Sequence, residues 1–201
     1  MAKTIGEWWT IIAPQIEARI NENGTYTVRD TETLLELNPR DIDDKIVIFE
    51  RQVKGWFLDI AKLLQTFDQG DFVILMIGCS YVEGIEQTIE GVSSKNKSNK
   101  CFIRGFKRIF GHGEEYNQKI GLFYDQVRNG LFHNGMTKNK VTLNRNLEEI
   151  VAFIKDDEIK VNPRKFLEKI EQHFQEYIIQ LKNPANADLR KNFDFSFTNL
   201  P

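Results

Sequence analysis

The chain has 201 residues, which corresponds to one domain and is long enough to bury a hydrophobic core. Hydrophobic residues make up 41% and charged residues 28% of the chain, a balance that excludes a disordered protein. The formal net charge of −2 excludes a uniformly basic protein that coats nucleic acid, so any nucleic-acid binding must use a local patch.

Neither a metal site nor a membrane segment is predicted. Cys79 and Cys101 have no neighbouring cysteine or histidine cluster that could complete a zinc site, so we expect reduced thiols and no cofactor. Residues 1–20 fail as a signal peptide because a proline interrupts a short apolar stretch. The uncharged residues 72–81 are too few to span a bilayer. We therefore expect a soluble, cytoplasmic protein without a membrane partner.

The N-terminal half is predicted to contain three helices. Residues 4–21 have apolar side chains at helical spacing with Pro14 as a kink, whereas residues 25–39 are less regular and are expected to form mostly loop. Residues 41–67 have apolar positions every three or four residues, which predicts a long amphipathic helix. Residues 71–92 follow as a second long helix, and its apolar first half is expected at the centre of a bundle.

Two further helices and a small β-structure are predicted beyond a polar loop. Residues 99–110 and 114–134 form helices, and each ends at a glycine-containing turn. The pattern then changes to short apolar runs at 140–161, which predicts a small antiparallel hairpin or meander. Asn162 and Pro163 begin a last helix that extends to residue 182.

The C-terminal tail has phenylalanines at alternating positions, Phe193, Phe195 and Phe197. Such alternation favours a strand-like segment docked on the body of the protein. A tail that binds a partner is the alternative interpretation.

The elements together predict a single domain covering residues 1–201. It is mainly α, a helical bundle with a small antiparallel β hairpin or meander inserted near the C-terminal helix. The core helices lie within residues 41–135 and 162–182, the hairpin within 140–161 and the tail within 183–201.

A polar motif lies at the end of the helix predicted before the hairpin. Residues 124–135 read YDQVRNGLFHNG, in which Arg128 precedes His133 by five residues and Asn129 follows the arginine. This arrangement resembles the R-x(4–6)-H signature of the HEPN ribonucleases, and the resemblance is specific over residues 71–135. It implies a HEPN-like helical bundle with Arg128, Asn129 and His133 as catalytic residues. It also implies a homodimer in which two such helices face each other across one cleft.

Helical geometry gives the motif an inward and an outward face. Asp125, Asn129 and His133 share one outward stripe, and Arg128 lies at its border, from where its long side chain can reach across. The inward face consists of apolar residues: Ile120, Phe123, Tyr124, Val127 and Leu131.

Two large apolar residues, Leu122 and Phe132, are also predicted on the outward side. Exposure of each would cost about 2 kcal/mol, so a second protomer is expected to cover them. This expectation agrees with the homodimer that the resemblance implies. One HEPN toxin subgroup, neutralised by nucleotide transfer, carries a tyrosine two residues after the histidine, and Gly135 occupies that place here. Control by that modification is therefore not predicted.

The three motif residues have the chemistry that metal-independent RNA cleavage requires. A base must remove the 2′-hydroxyl proton, an acid must protonate the leaving 5′-oxygen, and the products are a 2′,3′-cyclic phosphate and a 5′-hydroxyl. His133 suits either role because imidazole titrates near neutral pH. Arg128 offers a fixed fork of donors to the phosphorane, and Asn129 orients the phosphate or the imidazole.

A basic run precedes the motif. The helix predicted at 99–110 has four basic residues on one face, predicted to bind RNA: Lys100, Arg104, Lys107 and Arg108. A solvated helix face is the alternative. Glu83, Glu86 and Glu90 line one face of the second long helix, and we expect them to pair with Arg104 or Arg128 rather than to catalyse.

These observations predict a homodimeric, metal-independent endoribonuclease of a toxin–antitoxin or antiviral defence system, with RNA as substrate and an antitoxin or effector protein as a further partner. A catalytically silent HEPN-like module that binds RNA, a nucleotide or a protein is one alternative. A helical interaction subunit without a nucleic-acid role is another. The purely structural interpretation of the motif is a surface histidine with Arg128 in a salt bridge to Asp125 or Glu115.

Overall fold

The computed structural model describes residues 8–138 and 140–198, and this part of the chain is mainly α, as predicted. Its α-helices are α1 (Ile42–Val53), α2 (Asp59–Leu64), α3 (Asp71–Glu90), α4 (Ser98–Phe110), α5 (Asn117–Phe123), α6 (Gly130–Asn134), α7 (Pro163–Lys182) and α8 (Ala187–Thr198). A π-helical turn, Lys54–Leu58, joins α1 to α2, and another, Tyr124–Asn129, joins α5 to α6. The assignment of the whole chain to one domain stays a prediction.

The N-terminal residues form a β-sheet and not a helix. The strands β1 (Thr10–Ala13), β2 (Ile16–Ile20), β3 (Tyr26–Asp30) and β4 (Glu36–Leu37) pair antiparallel in that order. The helix predicted at 4–21 is therefore wrong over residues 8–21, and residues 4–7 lie outside the described chain. Residues 25–39, predicted to be mostly loop, contain β3 and β4, so the prediction is wrong for these strand residues, and the rest of the segment is turn or irregular.

A tight turn at Pro14 and Gln15 accounts for this difference. Gln15 has a φ of 61°, in the left-handed region, and its backbone carbonyl accepts a hydrogen bond of 2.7 Å from the backbone N–H of Thr31. The Pro14 ring packs against Gly55, where a Cβ atom would lie 2.5 Å from Pro14 Cγ. The inner face of the sheet packs on α1 through buried apolar residues: Ala13, Ile16, Val28, Leu37 and Ile48.

Helix α3 lies at the centre of the helices, as predicted, and packs against α2, α4, α7 and α8. Two glycines allow close packing at α3: a Cβ at Gly78 would lie 2.7 Å from the Phe166 ring, and one at Gly105 of α4 would lie 2.2 Å from the Val82 carbonyl oxygen. By length and composition alone, Asp68–Glu90 is apolar enough to cross a membrane, but a buried core helix of a soluble protein passes the same test.

The residues predicted to form a small antiparallel hairpin or meander contain a three-stranded sheet. Strands β6 (Val151–Phe153) and β7 (Ile159–Val161) pair antiparallel across a 3-10 turn at Lys155–Asp157. Strand β5 (Val141–Leu143) pairs parallel with β7, so the sheet is mixed rather than wholly antiparallel. The Asn162 side-chain amide donates to two carbonyls of the β5–β6 connection, which holds this crossing loop in place.

Helices α7 and α8 make up the C-terminal region of the described chain. Asn162 caps α7 as predicted, because its Oδ1 accepts from the backbone N–H groups of the first turn at 3.1 Å. The prediction of a strand-like tail is wrong, since residues 187–198 form α8. Phe193 and Phe197, four residues apart, face the body of the protein and pack on Phe49 at ring-centroid distances of 5.3 and 6.5 Å, whereas Phe195 is 61% exposed.

Candidate functional site

The motif helix consists of α5, the π turn and α6, and it contains all three predicted catalytic residues. It ends at Gly135, whose φ of 70° is left-handed, as predicted. The chain then folds back along the helix, because the Lys138 N–H donates to the Gln126 carbonyl at 2.9 Å. The π turn Tyr124–Asn129 includes Arg128 and Asn129. Such turns are rare in helices and occur frequently at functional sites.

The inward face predicted for the motif helix is confirmed. Its apolar residues are all buried: Ile120, Phe123, Tyr124, Val127 and Leu131. Asp125 and His133 are exposed and Asn129 is half-buried, so the outward stripe reaches solvent. Phe132 is 40% exposed, but Leu122 is half-buried and packs against the main core. Of the two predicted dimer residues, Phe132 is thus exposed and Leu122 partly exposed, and their contact with a second protomer stays a prediction.

Neighbouring groups hold Arg128 on three sides. Its Nη2 donates to Glu83 Oε2 of α3 at 3.0 Å, and its Nη1 donates to Asn129 Oδ1 at 3.3 Å. Its Cζ lies 4.6 Å from the ring centroid of Phe132 and 5.3 Å from that of Tyr124. The side chains of Arg128 and Glu83 are 19% and 12% exposed, so the pair is largely shielded from water. The guanidinium therefore has a fixed position.

His133 lies in α6, and its side chain is exposed. Within residues 8–138 and 140–198, no hydrogen bond or ion pair joins this imidazole to another group, and none joins it to Arg128. Asp125, on the same outward stripe, pairs with Lys138 Nζ at 2.7 Å. The structure thus brings Arg128 and Asn129 into contact and leaves His133 open to solvent.

The acidic stripe of α3 pairs with basic residues, as predicted. The Glu86 carboxylate is completely buried, and its two oxygens accept from Arg104 Nε at 3.0 Å and from Arg108 Nε at 2.9 Å. Arg108 also pairs with Glu90. Sequence reasoning placed Glu83 in this stripe but not among the site residues, although it is the group that binds Arg128.

Most of the predicted RNA-binding patch is neutralised by these contacts. Arg104 and Arg108 bind Glu86, and Lys107 binds Glu114. Lys100 is exposed and takes part in no ion pair within the part of the chain that the structure describes. Of the four predicted residues, Lys100 is therefore the one whose charge is fully available to a phosphate.

The two cysteines lie beside these ion pairs but are buried, free thiols. Burial raises the pKa of the Cys79 thiol well above its usual range, and the nearby Arg128 lowers it only in part. Burial likewise raises the pKa of Cys101, whose Sγ lies 3.7 Å from Arg104 Nη2. Neither thiol is therefore poised as a thiolate nucleophile at neutral pH.

A cavity of about 570 Å³ lies between α1, α3 and α8, and none of the three catalytic candidates lines it. Sequence analysis did not predict this cavity. The available signal was Gly84, a glycine in the middle of a long apolar helix, where a small residue leaves space on one face.

No group of three or more His, Cys, Asp and Glu side chains within the described residues is arranged to hold a metal ion. Comparison with known proteins gives no relative, since no family model, no curated protein and no solved structure matches the chain.

Proposed function

We propose that this protein is a metal-independent endoribonuclease of the HEPN type, built on a HEPN-like helical bundle. The observation that carries the proposal is the fixed position of the Arg128 guanidinium five residues before the solvent-exposed His133 on one helix. A preorganised cation for a phosphate and an accessible imidazole are the two groups that such cleavage needs.

The proposed reaction transfers two protons and exchanges one P–O bond for another. The 2′-oxygen attacks phosphorus while a base takes its proton, and the 5′-oxygen leaves with a proton from an acid. His133 takes one of these roles, and the same residue of a second protomer takes the other. Arginine has five N–H donors, and the bonds to Glu83 and Asn129 use two of them, so donors remain for the phosphorane oxygens.

A homodimer is part of the proposal because two histidines are needed at one phosphate. Phe132 and Met136, beside the motif, are 40% and 57% exposed and form an apolar surface for a partner protomer. Met136→Glu places a charge on this surface without touching Arg128. We expect light scattering to show a monomer for this variant and a dimer for the wild type.

The biological setting that we propose is a cytoplasmic toxin or antiviral defence system, with an antitoxin or effector protein as a second partner. A growth-restricting activity of this kind requires control by another protein. The expected consequence is that induced expression of the wild type halts growth, while the same level of His133→Ala does not.

The direct test is cleavage of RNA in the presence of EDTA. We expect products with 2′,3′-cyclic phosphate ends, and we expect His133→Ala to lower the rate by at least about 100-fold because a positioned proton-transfer group contributes that much. Arg128→Lys retains the positive charge near Glu83 but loses the donor fork, so it should also cleave poorly.

Asn134→Ala is the matched control for His133→Ala, because Asn134 is the neighbouring exposed residue at the end of the same helix. It should cleave like the wild type. A His133→Ala variant that cuts RNA as fast as the wild type would contradict the assigned site.

A second function is favoured by one observation, the Arg128–Glu83 ion pair, which partly neutralises the guanidinium. On this alternative the protein is a catalytically silent HEPN-like module that binds RNA, a nucleotide or a protein. It then binds RNA at low salt but releases no cyclic-phosphate product at any enzyme concentration, which separates it from the nuclease.

A further inference from the structure

The described residues that line the cavity between α1, α3 and α8 are uncharged, in a protein in which 28% of residues are charged. Its floor is α3, with Ile77, Gly84 and Ile85, and its sides come from Phe57 of the π turn after α1 and from Phe195 of α8. No Asp, Glu, Lys or Arg is among the described residues that line it. A charged ligand would lose its hydration there without gaining a partner.

Most polar groups of the wall are already bound within the protein. Thr88 Oγ1 donates to the Ile85 carbonyl at 2.8 Å, Ser196 Oγ donates to the Gln87 carbonyl at 3.1 Å, and the Tyr81 hydroxyl is 2.9 Å from His173 Nδ1. Ser80, which is exposed, has no hydrogen bond from its hydroxyl within the described chain. Ser93 Oγ accepts from the backbone N–H of Lys95 at 3.2 Å, so among the described lining residues Ser80 is the one whose hydroxyl has no hydrogen bond, on an otherwise apolar surface.

The size of the cavity is that of a small-molecule site. Its volume of about 570 Å³ falls within the roughly 300–1,000 Å³ that is typical of such sites. Phe57 and Phe195, which line the cavity, are 47% and 61% exposed, so the cavity is open to solvent on this side.

We propose that this cavity binds an uncharged, mainly apolar small molecule with one neutral oxygen, of the chemical class of a long-chain alcohol, whose oxygen bonds to the Ser80 hydroxyl. The site is separate from Arg128 and His133, so the proposal does not depend on nuclease activity. The cavity selects a ligand that carries no charge and that fits its shape.

Binding can be tested with the neutral dye Nile red and competing ligands on the full chain. We expect the dye to brighten with the wild type and decan-1-ol to displace it. Decanoate, which has the same chain length but a charge, should displace it at least about tenfold more weakly because the carboxylate must be desolvated. Ser80→Ala should weaken decan-1-ol binding by about three- to tenfold, the effect of one hydrogen bond.

Gly84→Leu is the blocking variant, and its fold should be intact. A Cβ at Gly84 meets nothing within 4 Å, and leucine is a better helix former than glycine. Gly121→Leu is the matched control, because Gly121 is also helical with nothing within 4 Å of a Cβ but lies outside the cavity. We expect Gly84→Leu to abolish the dye signal and Gly121→Leu to keep it.

Three results would overturn the proposal. The first is a dye signal that is the same in the wild type and Gly84→Leu, which would mean that the dye binds elsewhere. The second is a change of molecular mass in Gly84→Leu measured by light scattering, which would identify the cavity as a contact between protein chains. The third is displacement by decanoate as strong as by decan-1-ol, which would contradict an uncharged ligand.

Discussion

Arg128 and Glu83 form an ion pair, 3.0 Å between Nη2 and Oε2, that joins the motif helix to the central helix α3. Their side chains are 19% and 12% exposed, so the guanidinium is held in a site with little water. The central helix thus fixes the position of the proposed phosphate-binding group. Glu83 is therefore a positioning residue for Arg128, through the same bond that stabilises the fold.

Glu83→Gln should destabilise the protein by about 1–3 kcal/mol, because it leaves a partly buried guanidinium without its carboxylate. The change keeps the size of the side chain, so packing is little affected. Urea unfolding followed by circular dichroism measures the effect.

The control is Glu17→Gln, which removes the carboxylate of a more exposed pair with Arg29, where the side chains are 26% and 48% exposed. Glu17→Gln should lower the free energy of unfolding by less than about 1 kcal/mol. Equal losses for the two variants would show that the Arg128 pair is not shielded from water.

Gly105 and Gly121 are both helical, but substitution by alanine should change the free energy of unfolding with opposite signs at the two positions. A Cβ at Gly105 would lie 2.2 Å from the Val82 carbonyl oxygen and 3.3 Å from Glu86 Cβ, so α3 and α4 must separate. We expect Gly105→Ala to lower the free energy of unfolding by about 1–3 kcal/mol.

Gly121→Ala is the comparison, because nothing lies within 4 Å of a Cβ at that helical position. It should raise the free energy of unfolding by up to about 1 kcal/mol through helix propensity alone. Thermal unfolding of both variants gives the sign of each change in the free energy of unfolding. A stabilising Gly105→Ala would contradict the close packing of α3 against α4.

The errors of sequence-based prediction have one physical cause at both ends of the chain. Ile12, Ile16 and Ile20 are spaced by four, and a spacing of four fits the period of a helix and also the period of two of a strand. The tight turn at Gln15 makes this segment two strands instead of one helix. Its left-handed backbone falls on a glutamine, so no glycine in the sequence indicates the turn. Phe193 and Phe197 have the same spacing, and there the helix is formed.

The sequence predicted which helix contains the candidate site, but it did not predict which residues of other helices contact the side chains of that site. The inward face of the motif helix followed from its apolar spacing, and the end of α4 followed from the glycine after it. Which glutamate binds Arg128 depends on how α3 and the motif helix are placed in space, and Glu83 and Arg128 are 45 positions apart. The packing of half-buried Leu122 against the main core was likewise missed, because a helical wheel does not show which neighbouring helix covers a border position.

Stability should depend on pH through His173. Burial lowers the pKa of this imidazole to about 4, with a smaller effect from the positive charge of Arg108, while its ordinary value is about 6.5. Below pH 6.5 the unfolded chain therefore binds more protons than the folded chain. The contribution of neutral His173 to the free energy of unfolding is fully present above about pH 6.5. It is lost as the pH falls towards 4, by about 1–3 kcal/mol for this partly buried group.

His173→Gln should flatten the stability profile between pH 4 and 6.5 in denaturant titrations. Some slope remains, because burial also lowers the pKa of His112. Tyr81→Phe removes the hydroxyl that lies 2.9 Å from His173 Nδ1 but leaves the burial, so it should retain most of the slope. A profile that is as steep in His173→Gln as in the wild type would contradict this account.

Lys100 should contribute more to RNA binding than the other residues of the predicted basic patch. It is exposed and, in the described residues, outside every ion pair, whereas Arg104 and Arg108 bind the buried Glu86. We expect Lys100→Gln to reduce the slope of log affinity against log salt concentration by roughly 0.7, the value for one contact to single-stranded RNA.

Lys62→Gln is the matched control, since Lys62 is also an exposed helical lysine outside any ion pair of the described chain but lies on α2. It should leave the salt slope unchanged. Arg104→Gln is not informative by itself, because it withdraws a donor from the Glu86 carboxylate and lowers stability at the same time. An equal effect of Lys100→Gln and Lys62→Gln would mean that RNA does not lie along α4, and the phosphate contacts would then have to come from the motif helix.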